Sequence, residues 1–527
     1  MKGLALGIDL GTTFSCVAHL SGGQARIIPN LEGAMTTPSV VAFTPAGETL
    51  IGSSALRQAV TNPERTLYAV KRLIGRKFED EVVQAARKRL AYKLAAAANG
   101  DVVIDVAGRL ITPQEVSSLI LAYLRECAEV YLDQEVTDAV ITVPAHFGEA
   151  QRQATKDAAV IAGLNVLRVI NEPTAASLAF GLNRATNGKV AVFDMGGGTF
   201  DITLLERSGE VFQVLATNGD SYLGGEDFDQ RIVDWAIASL RKEQGLDLEG
   251  DANARQRIRE AAERAKRELS FTSETELNLP FLTSTASGSR HFRKVLSRSV
   301  LEDLTRDLVD RAFPLVERTF AESLIRPSDI AALLLVGGQT RMPLIHRRAA
   351  EFFGCKPSEG VNPDESIALG AAVQSGVLDG HFKDVVLLLD VTSHSLGIEI
   401  ENDGFEKIIE KNTTIPAKRA KTFTTVENGQ RLVRVHVVQG EGPRASNNVS
   451  LAMFDLIGLI PAPAGAAQIE VMFEIDADGL VRVTARDSLT GLEQQTAVHP
   501  SSGLSKHQVD SLAKKERGKS ARKKIHD

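Results

Sequence analysis

The residues best suited to chemistry lie in two short Gly/Thr segments, each of which follows an apolar run that ends in Asp. The first contains Asp9, Gly11, Thr12 and Thr13, and the second, residues 194–201, reads Asp-Met-Gly-Gly-Gly-Thr-Phe-Asp. Small residues let backbone N–H groups approach phosphate oxygens closely, and carboxylate oxygens suit Mg²⁺. Either segment alone is also compatible with an ordinary tight turn, whereas the pair favours a site for a phosphorylated ligand and a divalent cation.

Two further groups of polar residues are ambiguous by themselves. The apolar periodicity predicts a helix over residues 253–269, and four polar side chains share one of its faces: Glu263, Lys266, Arg267 and Ser270. Charged helix faces are usually solvated, so this face indicates a site only in combination with other residues. Glu172 lies directly before a proline, where it either belongs to a site or ends a strand in a turn.

The elements that must position these residues alternate between strands and helices through most of residues 1–380. The segment 5–14 recurs in outline at 191–200, and the two copies are separated by far more than the roughly 20–50 residues of a solenoid repeat. The sequence therefore predicts two related halves, each of which begins with an apolar strand, an Asp and a Gly/Thr turn. A third turn, residues 336–341, follows another apolar run.

The pattern changes near residue 384, where an apolar run bracketed by acids precedes segments of period-2 alternation. Residues 431–437 alternate, and so do residues 469–475, which continue through Asp-Ala-Asp-Gly into a second alternating run. This arrangement predicts a hairpin within a separate antiparallel β domain over residues 393–500. The segment beyond this domain is short and polar, and its last residues are basic.

Composition limits the classes of protein that are possible. The chain has 527 residues, 43% of them hydrophobic, and a formal net charge of −7, which argues against a protein whose main task is to bind nucleic acid. Its three cysteines are widely spaced, which favours a reducing compartment without disulfides or a zinc ribbon. No run approaches the roughly 18 apolar residues of a membrane span, so a soluble cytoplasmic protein is expected.

Taken together, these segments resemble one family, the seventy-kilodalton heat-shock chaperones, and in particular the DnaK type. The resemblance covers roughly residues 3–505. The segments that carry it occur in the family's order: 7–15, 69–75, 141–145, 169–176, 193–202, 219–229, 335–343, 362–365, 386–390 and 411–416.

The resemblance implies an α/β actin-like ATPase of two lobes over residues 1–383. The implied catalytic residues are Asp9, Lys71, Glu172, Thr199 and Asp201. The implied nucleotide contacts are Gly11, Thr12, Thr13, Asp194, Gly196, Gly197, Gly198, Thr199, Glu263, Lys266, Arg267, Ser270, Gly337, Gly338, Arg341 and Asp364. Asp9, Asp194 and Asp201 would hold Mg²⁺ mostly through water, beside bound ATP or ADP, and K⁺ is a further candidate ion.

The resemblance also implies a linker over residues 384–392 and an antiparallel β-sandwich over residues 393–502 that binds extended apolar peptides of unfolded proteins. The residues that match its pocket are Ile398, Phe423, Val433, Val435 and Ile469, with Glu401 and Val426 at the positions that arch over the peptide. Any one of the five apolar residues would by itself be read as ordinary core. A J-domain co-chaperone and a nucleotide exchange factor are implied partners, and Arg168, Asn171 and Asp390 match the J-domain contact region.

Three departures from the family pattern have physical consequences. Only residues 503–527 follow the β domain, too few for the family's helical lid, and their seven Lys or Arg after residue 513 predict a tail that is disordered or touches an acidic surface. Glu401 and Val426 replace Met and Ala, which disfavours purely aliphatic peptides and favours peptides that carry a base. His146 replaces a Tyr near Pro144 and Arg152, a pair implicated in signalling between domains, so an altered coupling is expected.

Two other functions compete with an ATP-dependent chaperone. A small-molecule kinase of the same superfamily would leave the linker and the β domain unexplained. An ATP-regulated binder of one or a few native partners is compatible with Glu401 and the short tail. Binding of many apolar segments would distinguish a general chaperone from such a dedicated regulator.

Overall fold

The computed structural model of the protein describes residues 4–182, 187–285, 288–360, 362–380, 386–497 and 503–526. Residues 4–380, here called the α/β part, combine helices with mixed sheets. Residues 396–497, here called the β part, are rich in antiparallel strands.

The strands of the α/β part are β1 (Leu4–Asp9), β2 (Phe14–Ser21), β3 (Gln24–Ile28), β4 (Thr37–Pro38), β5 (Val41–Phe43), β6 (Thr49–Ile51), β7 (Thr66–Leu67), β8 (Lys93–Ala96), β9 (Val102–Val106), β10 (Arg109–Ile111), β11 (Val136–Val143), β12 (Asn165–Asn171), β13 (Gly188–Met195), β14 (Phe200–Ser208), β15 (Val211–Asp220), β16 (Glu274–Thr285), β17 (Gly288–Ser297) and β18 (Ile330–Val336). The later strands are β19 (Leu387–Val391), β20 (Leu396–Ile400), β21 (Gly404–Ile409), β22 (Thr414–Ile415), β23 (Ala417–Phe423), β24 (Leu432–Gln439), β25 (Val449–Ile457), β26 (Ile469–Ile475), β27 (Val481–Asp487) and β28 (Glu493–Ala497).

The α-helices are α1 (Ser53–Arg57), α2 (Glu81–Arg87), α3 (Pro113–Leu132), α4 (Glu149–Ile161), α5 (Glu172–Leu182), α6 (Gly225–Gln244), α7 (Ala252–Glu268), α8 (Arg298–Ser323), α9 (Pro343–Phe353), α10 (Ser366–Leu378) and α11 (Lys506–His526). Short 3₁₀ helices cover Pro63–Arg65, Val70–Arg72, Pro327–Asp329, Gly338–Arg341, Glu401–Asp403 and Ala445–Asn447. Within the described residues, no helix is long and apolar enough to span a membrane.

Two six-stranded mixed sheets form the centre of the α/β part. The first has the order β12-β11-β1-β2-β3, with β4 beside β2, and the second has the order β18-β13-β14-β15-β19-β22. In each sheet, three consecutive antiparallel strands carry a parallel strand beside the first of them, β11 beside β1 and β18 beside β13. The duplicated segments recognised in the sequence thus occupy equivalent strands, β1 and β13, and place Asp9 and Asp194 at equivalent strand ends.

Helices α5 and α10 connect the two mixed sheets. Helix α10 packs on β1, β2 and β11 of the first sheet and on α5, which in turn contacts β13 and β14 of the second. The sequence of α10 is apolar or small on all sides, which is typical of a helix buried all round. A Cβ atom at Gly370 would collide with the backbone of Ala175, and one at Gly7 with the backbone of α10, so both close approaches require glycine.

Helix α7 fulfils the prediction made for residues 253–269. Its apolar stripe, Ile258, Ala261, Ala262 and Ala265, is buried in the largest core, together with residues of α6, α8 and the β16-β17 hairpin. The side chain of Asp251 caps the helix by accepting the backbone N–H of Ala254 at 2.9 Å. The polar face of the helix is therefore turned away from this core.

The β part consists of two four-stranded antiparallel sheets, β21-β20-β24-β25 and β23-β26-β27-β28, whose inner faces share one core. The predicted hairpin is present: β26 alternates between buried and half-buried residues and pairs with β27. At its turn, Asp476 Oδ1 accepts the N–H groups of Asp478 and Leu480, both at 2.9 Å, and Gly479 has a φ of 81°. Glycine is favoured there because L residues rarely adopt this left-handed conformation.

Strand β19 joins the two parts of the chain by adding to the second mixed sheet. It pairs in parallel with β15, where Leu388 lies beside Phe212, and antiparallel with β22. Leu388 is 7% exposed, whereas Leu387 is 45% exposed. The apolar run near residue 387 is therefore paired with the α/β part in this structure. Residues 384 and 385 of the predicted linker lie outside the described residues.

The C-terminal segment is helical, whereas its sequence predicted a tail that is disordered or touches an acidic surface. Residues 506–526 form helix α11, which packs against α4 of the α/β part. Val509 and Ala513, one turn apart, are 6% and 7% exposed and form the contact face. The prediction of disorder was wrong, because it considered the charges after residue 513 and not the short apolar stripe that precedes them. A contact of these charges with an acidic surface stays a prediction.

Candidate functional site

A central cavity of about 390 Å³ lies where the turns of the two mixed sheets face each other. Nearly all the predicted nucleotide-site residues line it: Asp9, Gly11, Thr12, Thr13, Lys71, Glu172, Asp194, Gly196, Gly197, Thr199, Glu263, Lys266, Arg267, Ser270, Gly337, Gly338, Arg341 and Asp364. Asp201 and Gly198 lie just outside this lining. The sequence predicted that these residues share one site, and the structure brings them together from seven separate segments of the chain.

Several lining residues were missed by the sequence reasoning: Phe14, Thr36, Gly225, Asp229, Phe271, Gln339, Met342, Pro363 and Ile367. Most of them directly neighbour a predicted residue in the sequence, and Phe14 and Asp229 lie within segments that carry the family resemblance. Adjacency to a site residue was therefore the signal available for them, although it does not tell which neighbours face the cavity.

The turn between β13 and β14 fits closely against the turn between β1 and β2. A Cβ atom at Gly197 would collide with the side chain of Thr13, and one at Gly198 with that of Thr12. Arg72 holds the turn from behind, since its Nε and Nη2 donate to the carbonyl oxygen of Gly198 at 3.0 and 2.8 Å. Both glycines are thus required by close packing, and the backbone of the turn stays at the cavity wall.

Four carboxylates and one lysine are buried at this end of the cavity. Lys71 and Glu172 form an ion pair, with side chains 5% and 8% exposed. Asp9 accepts a hydrogen bond from Thr142 Oγ1 at 3.3 Å, and Asp201 Oδ1 accepts the backbone N–H of His146 at 2.9 Å. With all four carboxylates ionised, the group would carry more negative charge than Lys71 can balance.

The electrostatics of these carboxylates follow from burial and mutual repulsion. Burial, with a contribution from the charge of Glu172, raises the pKa of Asp9 to about 7 and that of Asp201 to about 8. The same causes, with Asp201 as a further neighbour, raise the pKa of Asp194 well above its usual range. Burial disfavours a charged carboxylate, and a like charge nearby does the same, so the group is poised to receive a cation.

One oxygen of this carboxylate group is suited to Mg²⁺. Asp194 Oδ2 is buried and has no hydrogen-bond partner among the described residues, which leaves it available to a water or an ion. Across the described ranges, however, no three Asp, Glu, His or Cys side chains come close enough to hold a bare metal ion. The arrangement fits a hydrated cation held through water, as the sequence resemblance implied.

The polar face of α7 and the segment around residue 341 line another part of the cavity. Lys266 donates to the carbonyl oxygen of Gly225 at 2.9 Å and pairs with Asp229 at 3.0 Å. Arg341 pairs with Asp364 at 2.7 Å. Burial raises the pKa of Asp229 to about 6 despite the nearby Lys266.

Aromatic rings and guanidinium groups add flat surfaces to the same part of the cavity lining. The guanidinium carbon of Arg267 lies 5.6 Å from the ring centroid of Phe14. Arg341 reaches the same cavity from the second mixed sheet. Planar groups of this kind suit a flat heterocyclic base better than a sugar alone.

A chain of buried hydrogen bonds leads from this site to β19. Arg152 Nη2 donates to Asn171 Oδ1 at 2.5 Å, and Asn171 Nδ2 donates to Asp390 Oδ1 at 2.7 Å. Thr174 Oγ1 donates to the second oxygen of Asp390 at 3.2 Å. Asn171 directly precedes Glu172 in the sequence. The residue that is hydrogen-bonded to β19 is therefore covalently bonded to one of the cavity carboxylate residues.

The three residues predicted for the J-domain contact region are only partly brought together. Asn171 and Asp390 are hydrogen-bonded, and burial raises the pKa of Asp390 above its usual value. Arg168 lies on the same strand as Asn171, β12, with its Nε buried and without a hydrogen-bond partner.

The β part contacts α4 and its surroundings directly. Lys156 pairs with Asp478 at 2.7 Å, and Asp478 also accepts the backbone N–H of Val169 at 3.0 Å. The ring of His146 lies against that of His394, two residues before the β part, with 4.4 Å between the ring centroids and 49° between the ring planes. Burial lowers the pKa of both histidines, that of His394 to about 4, so both are neutral at this interface near pH 7.

The apolar residues predicted for the peptide pocket form one cluster. Ile398, Val435 and Ile469 are buried in the core shared by the two sheets, and Phe423 and Val433 pack against it half-buried. Glu401 lies in an exposed 3₁₀ turn, and Val426 is 56% exposed. The cluster matches the ordinary core interpretation equally well, so an open peptide groove at this position stays a prediction.

The architecture defines a class of protein in which mixed α/β sheets around a cavity are followed by a strand-rich C-terminal part. A family model described as Hsp70 protein matches residues 5–526, nearly the whole chain. The chain therefore belongs to the Hsp70 family, and the resemblance found in the sequence is confirmed. Members of this family are chaperones and ATPases that bind ATP or ADP with Mg²⁺, and they generally bind unfolded peptides, J-domain proteins and exchange factors.

Proposed function

We propose that the protein is an ATP-dependent chaperone in which ATP binding and hydrolysis within residues 1–383 control peptide binding within residues 393–502. In this proposal residues 1–383 are a two-lobed actin-like ATPase, and residues 393–502 are a β-sandwich. The observation that supports it most is the hydrogen-bonded chain from Asn171, beside Glu172, to Asp390 on the linker strand. A carboxylate-rich cavity and a peptide-binding part would be coupled by such a chain.

The phosphate end of the cavity would be formed by the two Gly/Thr turns. The backbone of residues 11–13 and 196–199 would surround the β- and γ-phosphates. Lys71 would neutralise charge that develops on the γ-phosphoryl group, and Glu172, Thr199 and Asp201 would orient the attacking water. Asp9, Asp194 and Asp201 would hold hydrated Mg²⁺, which stabilises negative charge on the phosphates, and K⁺ is a possible additional ion.

The base and ribose would occupy the opposite end. The polar face of α7 presents Glu263, Lys266, Arg267 and Ser270 to the cavity, and Gly337, Gly338, Arg341 and Asp364 complete the wall. This division places the anionic groups of the nucleotide against backbone N–H groups and its flat base between guanidinium groups.

Coupling would pass through residues 144–152 as well as through Asn171. The backbone N–H of His146 donates to Asp201, while its ring centroid lies 4.4 Å from that of His394, two residues before the β part. A shift of Asp201 on nucleotide binding would therefore change the position of His146 at the interface. Separation of the β part would in turn change the position of Asp201. ATP would favour the docked arrangement seen here, and ADP would favour separated parts that retain peptide.

The β part would bind extended peptide segments through backbone hydrogen bonds and the apolar cluster around Ile398 and Val435. Glu401, exposed beside it, would favour peptides that carry a basic residue. Partners would include a J-domain co-chaperone that contacts Arg168, Asn171 and Asp390, and a nucleotide exchange factor. The cytoplasmic location and a role in the stress response stay predictions.

Two measurements test this function. Isothermal titration calorimetry of the whole chain with ATP and Mg²⁺ is expected to show one nucleotide bound per chain. Added sugar should not increase the consumption of ATP, and such an increase would favour a small-molecule kinase. A peptide-array screen with and without ATP is expected to show many bound apolar segments, enriched in neighbouring Lys or Arg, whose binding ATP weakens. Binding of only one or two sequences would instead favour a dedicated regulator of native partners.

A further inference from the structure

Phe271 is an aromatic residue at the rim of the central cavity that no step of the proposed function uses. It directly follows Ser270 and lines the cavity together with Arg267 and Arg341. Its side chain is 77% exposed. A single exposed apolar side chain on a protein surface needs no explanation, but one at the open edge of a ligand cavity adds apolar surface where a ligand can cover it.

The turn that carries Phe271 is fixed by several hydrogen bonds. The backbone N–H of Phe271 donates to the carbonyl oxygen of Glu268 at 2.9 Å. Arg298 clamps the turn on both sides, because its Nε donates to Leu269 O at 2.8 Å and its Nη2 to Thr272 O at 2.7 Å. The ring is thus held at the rim by a preorganised backbone, so contact with a ligand costs little conformational entropy.

The position of the ring within the cavity determines which part of a ligand it can meet. The glycine turns and the buried carboxylates form one part of the lining, whereas Phe271 follows Ser270 just after α7, the helix that also presents Arg267 to the cavity. Phe271 therefore neighbours the guanidinium-bearing part of the lining, and its side chain offers no hydrogen-bonding group. It can therefore meet only a flat or apolar portion of the ligand, which for a nucleotide is the base.

We propose that Phe271 contacts the base of the bound nucleotide and contributes to a preference for purine over pyrimidine nucleotides. A purine has two fused rings and extends farther from the ribose than a pyrimidine, so it covers more of a ring at the cavity rim. The contact is apolar and does not distinguish adenine from guanine by itself. This inference rests on the proposed function, since it takes a nucleotide as the occupant of the cavity.

The test is the Phe271→Ser variant of the whole chain, measured by calorimetry with ATP, CTP and inorganic triphosphate. Loss of a partly buried aromatic contact is expected to weaken ATP binding roughly 5- to 30-fold. CTP should lose less than ATP, and inorganic triphosphate, which has no base, should bind both forms within about twofold. Phe281→Ser is the matched control, because Phe281 is also exposed, at 69%, but lies outside the cavity lining.

The outcomes separate this inference from the function on which it rests. Weaker ATP binding with unchanged triphosphate binding supports a contact to the base. ATP affinity of Phe271→Ser within about twofold of the wild type overturns the inference while the ATPase function stands. Equal losses for ATP and triphosphate also overturn it, because they indicate a distorted cavity, and a wild-type chain that binds no ATP contradicts the proposed function itself.

Discussion

Lys71 is the residue whose substitution tests the proposed chemistry most simply. It is the cation buried among the carboxylates, and Glu172 holds it by an ion pair. Lys71→Ala should lower single-turnover ATP hydrolysis roughly a hundredfold, because one catalytic electrostatic contact is worth about 3 kcal/mol. Asp201→Asn should have a similar effect, since it removes a charge that orients water or holds the hydrated cation.

The control for this prediction is Arg434→Ala, which removes an exposed cation that pairs with Asp455 on the β part at 2.8 Å. Its hydrolysis rate should equal that of the wild type. Circular dichroism and thermal unfolding should show that all three variants are folded. Hydrolysis by Lys71→Ala and Asp201→Asn within about threefold of the wild type would show that these residues are not catalytic.

His394 is expected to make the proposed docking of the β part sensitive to pH. It faces His146, Ser393, Lys411, Glu441, Arg152 and Arg76, and burial lowers its pKa to about 4, against about 6.5 for an exposed histidine. Below pH 6.5 the undocked form therefore binds more protons than the docked form. The contribution of His394 to docking is fully present above about pH 6.5 and is lost as the pH falls toward 4.

Small-angle X-ray scattering in the presence of ATP measures this effect as an increase in radius of gyration between pH 7.5 and 5.5. Glu149 has the opposite tendency, because burial raises its pKa to about 8 and lower pH favours its buried neutral form. The difference between wild type and His394→Leu isolates the histidine. The variant should stay docked at pH 5.5 to a greater extent, and identical pH profiles would contradict the prediction.

At the scale of elements, strand β19 is expected to act as a switch and not as a passive tether. Leu388 is buried in the core that joins both mixed sheets, whereas Leu387 is half exposed on the same strand. Leu388→Asp should abolish peptide stimulation of ATP hydrolysis while nucleotide affinity stays unchanged, because a buried charge would prevent pairing with β15. Leu387→Asp is the matched control and should retain most of the stimulation. Full stimulation in Leu388→Asp would show that docking of β19 is not needed for coupling.

Helix α11 is expected to act as an intramolecular contact between the C-terminus and α4. Val509→Asp should release the helix, because it places a charge in an apolar contact, whereas Ser511→Asp on the exposed side should not. Hydrogen exchange of the backbone amides of residues 507–516 measures the difference. Equal protection in both variants would show that the packing on α4 does not hold this helix.

At the scale of the whole molecule, the sequence predicted the cavity far better than the way its two parts meet. The duplicated strand-Asp-Gly/Thr pattern led to Asp9 and Asp194, since residues at equivalent strand ends are brought together by two related sheets. Phe271 was missed because only the path of the turn after α7 determines that it faces the cavity. The close approach of the His146 and His394 rings was also not predictable, because it joins segments that are distant in the sequence.

The central claim is that nucleotide in the cavity controls peptide binding through Asn171 and Asp390. The most direct measurement is stopped-flow release of a fluorescent apolar peptide after ATP is added to the whole chain. ATP should accelerate release at least tenfold in the wild type and in Asp455→Ala, a surface control on the β part. Asp390→Ala should bind ATP normally but show little acceleration, because both hydrogen bonds to α5 and its preceding residue are lost. Equal release rates with and without ATP in the wild type, or unchanged acceleration in Asp390→Ala, would contradict this account.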